Sequence, residues 1–292
     1  MSTTASGTGT ALSAAAALPA LGQFAAAAFL PCSLGLWRTG YAVSYGFGGA
    51  MMASGLLQLL ANLPGSAQAI LPLHLHAALY VFFGARLNLF LLHREITFPV
   101  DIHKMTRRDA SLSERLKRLP VITGCSVLFY CMSAAPMRVL ALLNPPKGNA
   151  LITGTLAVGF AGFLLAGIGD WYKCKIKARD GKDTLVTTGP YRYLRHPNYT
   201  GDMIGWTSVC LVLPLLSAMG NFRRMIPWLA ASILGWAGMV FAVMIGEATV
   251  GLEKKHKAKY GGTPEYEDWI KRSWSGPMLG GGKDTTTSSK GD

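Results

Sequence analysis

The sequence predicts an all-α fold: a polytopic transmembrane helix bundle of about seven spans, with six as the alternative. Half of the 292 residues are hydrophobic, only 15% are charged, and the mean hydropathy is +0.30. This composition is typical of a membrane protein rather than a soluble one. In addition, apolar segments of the length that a helix needs to cross the hydrocarbon core recur along the chain. The basic residues concentrate in the short segments between them.

The chain begins with residues 1–15, which carry no charge and are expected to be disordered, as is the tail 276–292. One helical domain, residues 16–275, lies between them and contains seven apolar segments: 16–36, 42–61, 68–92, 119–143, 150–169, 202–219 and 226–250. The first is rich in alanine, and six crossings result if it lies partly outside the bilayer. In the second, Gly46 and Gly49 predict a face for close helix packing.

The polar segments predict which side of the membrane each faces. Three of them share a strongly basic charge, and the predicted crossings place them on one side: 93–118, 171–200 and the chain from 254 onward. By the positive-inside rule this side is the cytosol. The same bias accounts for the net charge of +13 without nucleic acid as a partner. Arg223 and Arg224 fall on the opposite side, unless the sixth segment, which contains Pro214, is tilted or re-entrant.

Several kinds of site are excluded by the motifs. The five cysteines are scattered and no CxxC pair occurs, so we expect neither a disulfide framework nor a bound metal. No GxGxxG motif opens a helix after a strand, so the soluble Rossmann solution to nucleotide binding is absent. A nucleotide would therefore have to be held by loops and helix ends.

Residues 170–202 form a polar stretch between two apolar segments, DWYKCKIKARDGKDTLVTTGPYRYLRHPNYTGD. Its candidate binding residues are cations, rings and hydrogen-bonding groups: Lys173, Lys175, Lys177, Arg192, Tyr193, Arg195, His196, Asn198, Tyr199 and Asp202. Arginine binds phosphate or carboxylate through paired hydrogen bonds, and a tyrosine ring can stack on adenine. The stretch therefore favours a receptor for an anionic cofactor at the membrane surface. The alternative is a basic loop that fixes topology and contacts anionic lipid.

Four further residues have a predicted local role. Pro197 should impose a fixed bend at the start of the next span. Asp202 is expected near the cofactor, and it could also cap a helix N-terminus. Arg86 lies deep in the third span, where a charge needs either a water-lined site or an acidic partner. Glu247, at the end of the last span, is a candidate partner for an arginine or for a cofactor hydroxyl.

The motifs of this stretch resemble the signature of a membrane family that includes steroid 5-alpha-reductases, sterol reductases and isoprenylcysteine carboxyl methyltransferases. DWYKCKIK followed by GPYRYLRHPNYTGD is most similar to the reductase-type branch, whereas the methyltransferases share the GPYRY and RHP parts. With weaker matches included, the resemblance covers residues 75–275. It implies an enzyme of lipid metabolism in the endoplasmic reticulum or another endomembrane. A plastid membrane is an alternative, because residues 1–15 contain serine and no acidic residue, as transit peptides do, although they also lack arginine.

The resemblance implies an NADPH-dependent reductase that acts on a double bond of a lipophilic steroid-, sterol- or enone-like substrate drawn from the membrane. The cofactor phosphates would bind the lysines and arginines, and the cofactor would be oriented by Asn198, Tyr199 and Asp202. A glutamate or tyrosine in the early spans would protonate the substrate. The first three spans contain no glutamate, and the tyrosines available are Tyr41, Tyr45 and Tyr80.

Two alternatives stay open. The first is a methyltransferase of isoprenylcysteine or phospholipid type that uses S-adenosylmethionine. In that case Arg195, His196 and Tyr199 would contact the cofactor, and Glu247 or Glu253 would bind its amino group. The second is a membrane protein that kept the fold without an enzymatic activity.

Overall fold

A computed structural model describes residues 18–63, 72–98, 111–143, 149–218 and 222–276. Within these ranges all regular structure is helical, apart from one isolated bridge between Leu194 and Trp274. The predicted all-α fold class is therefore confirmed. Residues 1–15 and all but the first residue of 276–292 lie outside the described ranges, so the predicted disorder of both ends stays a prediction.

The helices are numbered here in chain order. They are α1 (Leu21–Cys32), α2 (Thr39–Val43), α3 (Tyr45–Ala61), α4 (Pro72–Thr97), α5 (Leu112–Leu116), α6 (Leu119–Leu143), α7 (Ala150–Asp180), α8 (Pro197–Trp206), α9 (Leu213–Ala218), α10 (Phe222–Ala237), α11 (Gly251–Tyr260) and α12 (Pro264–Arg272). Tighter turns of 3-10 type occupy Ser33–Leu36 and Gly189–Arg192. Wider π-type turns at Thr207–Val212 and Gly238–Val250 join α8 to α9 and α10 to α11.

Six helical units of the described chain are long and apolar enough to cross a membrane: Thr39–Ala61, Pro72–Thr97, Leu112–Leu143, Ala150–Asp180, Pro197–Ala218 and Arg223–Tyr260. They fit an integral membrane protein. The segment predicted at 16–36 is not among them, because α1 has only 12 residues. Pro31 removes a backbone donor near its end, and the chain then tightens into a 3-10 turn. The described residues thus contain six candidate crossings.

Helix α7 extends well beyond the predicted span. The span predicted at 150–169 continues as a helix to Asp180, so the loop predicted at 171–200 is wrong in its first ten residues. Residues 170–180 contain neither glycine nor proline, and lysine and arginine are good helix formers. The helix stops at Gly181, which has a φ of 104° and donates its N–H to the carbonyl of Lys177 at 3.2 Å. Lys173 and Lys177 therefore lie on one face of α7, and Lys175 lies on another.

The start of α8 confirms the bend predicted at Pro197. Proline occupies the first helical position, which needs no N–H, and follows His196 at φ −135° and ψ 63°. Asp202 lies inside this helix rather than before it, so the helix-capping role predicted for Asp202 is wrong. Because the helix begins at Pro197 instead of 202, the unit Pro197–Ala218 reaches 22 residues and is not a short segment.

Helix packing in the bundle centre rests on aromatic rings. Trp206 of α8 is fully buried, and its ring centroid lies 4.6 Å from that of Phe83, 5.0 Å from that of Phe163 and 5.5 Å from that of Phe47. These rings join α3, α4, α7 and α8. The packing face predicted at Gly46 and Gly49 is also confirmed. A Cβ at Gly46 would lie 3.0 Å from the Cα of Cys32, so α3 approaches α1 closely there.

Candidate cofactor site

The loop 181–196 is held against the bundle by the last two helices. Lys259 of α11 forms an ion pair with Asp183, and the hydroxyl of Tyr260 donates to the carbonyl of Asp183 at 2.9 Å. From α12, the indole N–H of Trp269 donates to the carbonyl of Tyr191 at 2.7 Å. Trp269 is 1% exposed, so this contact is part of a packed core. The loop is thereby clasped between α7, α11 and α12 instead of extending into solvent.

A short backbone pairing adds to these contacts. The contacts of α11, α12 and Trp274 with the loop 181–196 are called the C-terminal clasp. The N–H of Arg195 donates to the carbonyl of Trp274 at 2.8 Å, and the N–H of Trp274 donates to the carbonyl of Tyr193 at 2.8 Å. The Tyr191 phenol is buried beneath the clasp and donates to the carbonyl of Gly169 at 3.2 Å. Burial, together with the nearby Asp170 carboxylate, raises the pKa of Tyr191 well above its usual range, so the phenol stays a donor.

Gly189 is required where the loop passes over α7. Its φ is +59°, and a Cβ at this position would lie 2.5 Å from the ring of Tyr172. The hydroxyl of Tyr172 and that of Thr188 lie 2.8 Å apart, which fixes the ring in this place. We expect Gly189→Ala to lower the free energy of unfolding by about 1–3 kcal/mol, because the backbone is strained and the ring must move. Thermal unfolding in detergent would measure this, and Gly251→Ala, in open space, is the matched control.

A cavity of about 280 Å³ lies where α4 and α7 end and α8 and α11 begin, with Lys182 of the clasped loop in its wall. Its wall combines basic, aromatic and amide side chains: Phe90, Arg94, Phe98, Asp170, Lys173, Cys174, Lys177, Lys182, Asn198, Tyr199 and Leu252. Four of these residues are cationic and one is acidic. The Nζ of Lys177 donates to the carbonyl of Lys182 at 2.6 Å, which ties the loop to the helix at the cavity edge.

A buried charge cluster forms the base of this cavity. Arg86 of α4 makes ion pairs with Asp170 of α7 at 3.2 Å and with Asp202 of α8 at 2.7 Å. The Nδ2 of Asn198 donates to the other oxygen of Asp170 at 3.0 Å. The predicted acidic partner of Arg86 is therefore found, and it consists of two aspartates. The cluster cross-links the three helices whose ends surround the cavity.

A second charge cluster lies between α8 and α11. Glu253 accepts from Arg195 Nη1 at 2.5 Å, and its other oxygen lies 2.6 Å from His196 Nε2. His196 is 2% exposed, and its ring stacks on that of His256, with centroids 5.7 Å apart. The acid that meets Arg195 is thus Glu253, whereas the side chain of Glu247 lies outside the described residues. This cluster joins α11 to the signature motif, which is DWYKCKIK at residues 170–177 together with GPYRYLRHPNYTGD at residues 189–202.

The Glu253 cluster also places ligand atoms close together. Atoms of His196, Glu253 and His256 lie within 4.8 Å of one another, which is a spacing that a metal ion could use. However, both oxygens of Glu253 are already engaged, one of them by the permanent cation of Arg195. A divalent cation would have to displace or face that guanidinium, so the donor set fits an ion-paired cluster better than a metal centre.

The structure separates the predicted binding residues into three groups. Lys173, Asn198 and Tyr199 line the cavity together with Lys177, and Asp202 supports its base through Arg86. Arg195 and His196 bind Glu253 instead of lining the cavity. The remaining three, Lys175, Arg192 and Tyr193, lie outside it. Arg192 is exposed, with its guanidinium 5.6 Å from the ring centroid of Tyr193.

Several residues of the cavity wall were not predicted from the sequence. Phe90, Arg94 and Phe98 recur every four residues, so they project from one face where α4 ends. This spacing would have indicated them if the span predicted at 68–92 had been extended beyond residue 92. Lys182 and Leu252 come from the loop and from α11, and only the fold brings them to the cavity.

Comparison with known proteins gives a family and no activity. No curated protein and no solved structure matches the chain. The profile of DUF1295, described as a protein of unknown function, matches residues 42–273, which include all six candidate spans except the first three residues of the first. The chain therefore belongs to the DUF1295 family.

Proposed function

We propose that the chain is an integral membrane reductase that uses NADPH to reduce a double bond of a lipophilic substrate. The observation that carries this proposal is the cavity of about 280 Å³ under the signature motif, whose wall holds four cations and one acid. It lies at the end of the bundle where the basic segments gather, and the positive-inside rule puts that end in the cytosol. A cytosolic dinucleotide and a membrane-dissolved substrate could both reach it.

The residues present fit the phosphate part of such a cofactor. Lys173 and Lys177 are four residues apart on one face of α7, and Arg94 approaches from α4. Cations from separate elements suit a pyrophosphate and a further phosphate better than a zwitterionic amino acid. A volume of about 280 Å³ is slightly below the roughly 300–1,000 Å³ typical of whole-ligand pockets, so the cavity fits part of a dinucleotide.

Other side chains of the cavity would orient the cofactor and exclude water. The ring of Tyr199 offers a stacking face, and Phe90 and Leu252 supply apolar contacts. Asn198 is held by Asp170, which fixes the direction of its amide. When bound, NADPH would supply the hydride. The protein would hold the cofactor in position against the substrate and surround it with fixed charges and dipoles.

We assign proton delivery to Tyr41. Its hydroxyl accepts from Arg38 at 2.7 Å and donates to Glu95 at 2.7 Å. Glu95 lies next to the cavity residue Arg94 in the sequence, whereas neither Glu95 nor Tyr41 lines the cavity itself. The resemblance implies a glutamate and a tyrosine for this step. Tyr80 is less suitable, because it is fully buried and donates to the carbonyl of Met132 at 2.5 Å.

Tyr41→Phe is expected to lower turnover by about 10²–10⁴-fold, the usual range for loss of a general acid, while leaving NADPH affinity unchanged. Turnover would be followed as the loss of NADPH absorbance with a panel of enone lipids in detergent. Tyr130→Phe is the matched control, since it removes a phenol hydroxyl of α6 that contacts neither Arg38 nor Glu95. Equal losses in both variants would remove Tyr41 from this role.

Thermal-shift titration of the purified protein tests the proposed function directly. A ligand that binds only the native state stabilises it by about 2.7 kcal/mol at a hundred times its dissociation constant. We expect NADPH to raise the melting temperature, NADH to act more weakly because it lacks one phosphate, and S-adenosylmethionine to have no effect. Stabilisation by S-adenosylmethionine alone would replace the reductase by the methyltransferase.

One observation keeps that methyltransferase as the second candidate. Glu253 lies against Arg195 and His196 of the RHP motif, and the resemblance gives these residue types to S-adenosylmethionine in the methyltransferase branch. Both oxygens of Glu253 are engaged within the protein, so its position is explained by the clasp alone. The cationic cavity is what favours the reductase.

A further inference from the structure

We propose that the outer seam between α4 and α7 is a binding site for one lipid molecule with an acidic headgroup, separate from the cofactor cavity. Two surface grooves on this seam carry the proposal. One contains His93, Lys175 and Arg179 in an otherwise largely apolar wall and lies at the basic end of the bundle, and the other has no charged residue and lies deeper. The proposal does not rest on the proposed reduction.

The groove at the basic end has a volume of about 870 Å³, and Cys174 is the residue that lines both this groove and the cofactor cavity. Its wall includes His93, Trp171 and Lys175. The rings of His93 and Trp171 are 4.4 Å apart and tilted by 31°, so they form one platform, and Trp171 is still 44% exposed. Tryptophan and lysine exposed together at a span end are typical of the headgroup depth of a membrane.

The charge of this groove favours an anion. Arg179 is neutralised by Asp180, since its Nε lies 2.6 Å from the carboxylate. Lys175 is exposed and has no ion-pair partner among the described residues. One uncompensated lysine near a membrane surface favours acidic over neutral lipid by about fivefold.

The apolar groove has a volume of about 460 Å³ and is lined by α4 and α7 nearer their first residues. Its wall includes Leu79, Phe82, Ala157 and Phe160, and Thr153 is the polar residue in it. Phe82 and Phe160 contact each other across the seam, with centroids 5.0 Å apart. Such a surface contributes apolar contacts and no charge, which suits a hydrocarbon chain.

The two grooves lie on the same stripe of each helix. On α4, Phe82 and His93 are 11 residues apart, and on α7 Phe160 and Trp171 are also 11 apart, which is close to three full turns. Between them Leu89 is 63% exposed, so the seam stays open to lipid. Eleven residues span about 16 Å along a helix, close to one leaflet of a hydrocarbon core of about 30 Å. A single lipid therefore reaches from one groove to the other.

Photo-crosslinking tests this site. The protein would be reconstituted in phosphatidylcholine vesicles that contain a small fraction of phosphatidylglycerol with a diazirine at the chain end. We expect the label to concentrate in residues 75–82 and 153–160. Ala157→Trp fills the groove and should lower this labelling several-fold, whereas Val158→Trp, 51% exposed on another face of the same helix, should leave it unchanged.

The headgroup is tested in the same vesicles with a photoreactive phosphatidylcholine. Wild-type protein should prefer phosphatidylglycerol by about fivefold. Lys175→Glu should abolish this preference, and Lys255→Glu, an equal charge change at another exposed site, should not. Labelling spread evenly over all lipid-facing helices, or equal labelling by both lipids in the wild type, would overturn the proposal. Size-exclusion profiles of each variant would establish that the fold is kept.

Discussion

Replacing Arg86 with alanine is expected to lower the free energy of unfolding by about 3–5 kcal/mol, the range found when one partner of a buried ion pair is removed. Arg86 is the counter-ion of both Asp170 and Asp202, and the three side chains are 7%, 13% and 14% exposed. Without the guanidinium, two carboxylates would face each other with little water to screen them. The helices α4, α7 and α8 would lose the contact that holds their cavity ends together.

Denaturant unfolding in detergent micelles would measure this loss. The matched control removes all three charges together, as Arg86→Met with Asp170→Asn and Asp202→Asn. Replacing a whole buried ion cluster by neutral groups is often close to neutral, so the triple variant should recover most of the lost stability. If the triple variant were as unstable as Arg86→Ala, packing rather than charge would explain the effect.

Lys173→Ala should raise the dissociation constant for NADPH by about tenfold to a hundredfold. A hydrogen bond to a charged group contributes roughly 1.5–3 kcal/mol, and Lys173 lies in the cavity wall where the phosphates are proposed to bind. The effect should shrink at high salt, because screening weakens the attraction that the lysine provides. Titration calorimetry or the thermal shift at several NADPH concentrations would give the constant.

Lys175→Ala is the matched control for this prediction. It removes the same charge from the same helix only two residues away, but its side chain lies in the lipid-facing groove on the other side of α7. NADPH affinity should therefore stay within about twofold of the wild type, since an exposed charge outside the site contributes little. Equal weakening by both variants would indicate general attraction to a basic surface and would contradict a defined phosphate site.

The fold was predictable because bilayer thickness imposes a length on each apolar segment. Hydropathy alone placed every long helix, and Pro197 marked the start of α8. The boundaries were less predictable where a helix continues into polar sequence, as α7 does up to Gly181. Polarity ends a membrane span, but only glycine, proline or a cap ends a helix. The predicted end at 169 is the end of the apolar segment, whereas the helix itself ends at Asp180.

The candidate site was predictable only in part, for a related reason. The signature motif indicated Lys173, Asn198 and Tyr199, which do line one cavity. The motif alone did not distinguish these residues from Lys175. The face of α7 to which a side chain belongs depends on its position in the helix, and the motif does not show where the helix ends. Glu247 was predicted as a partner for an arginine from its place at the end of the last span, and this stays a prediction because its side chain lies outside the described residues. Among the described residues Glu253 meets Arg195, which follows from where α11 packs and not from the motif.

The C-terminal clasp also determines when the loop 181–196 can be fixed in place during synthesis. Trp269 and Trp274 contact Tyr191, Tyr193 and Arg195, about 80 positions earlier in the chain. A nascent polypeptide therefore synthesises all six candidate spans before the segment that fixes this loop has left the ribosome. A premature stop after Tyr260 would leave a product whose spans are complete and whose loop lacks the contacts of Trp269 and Trp274.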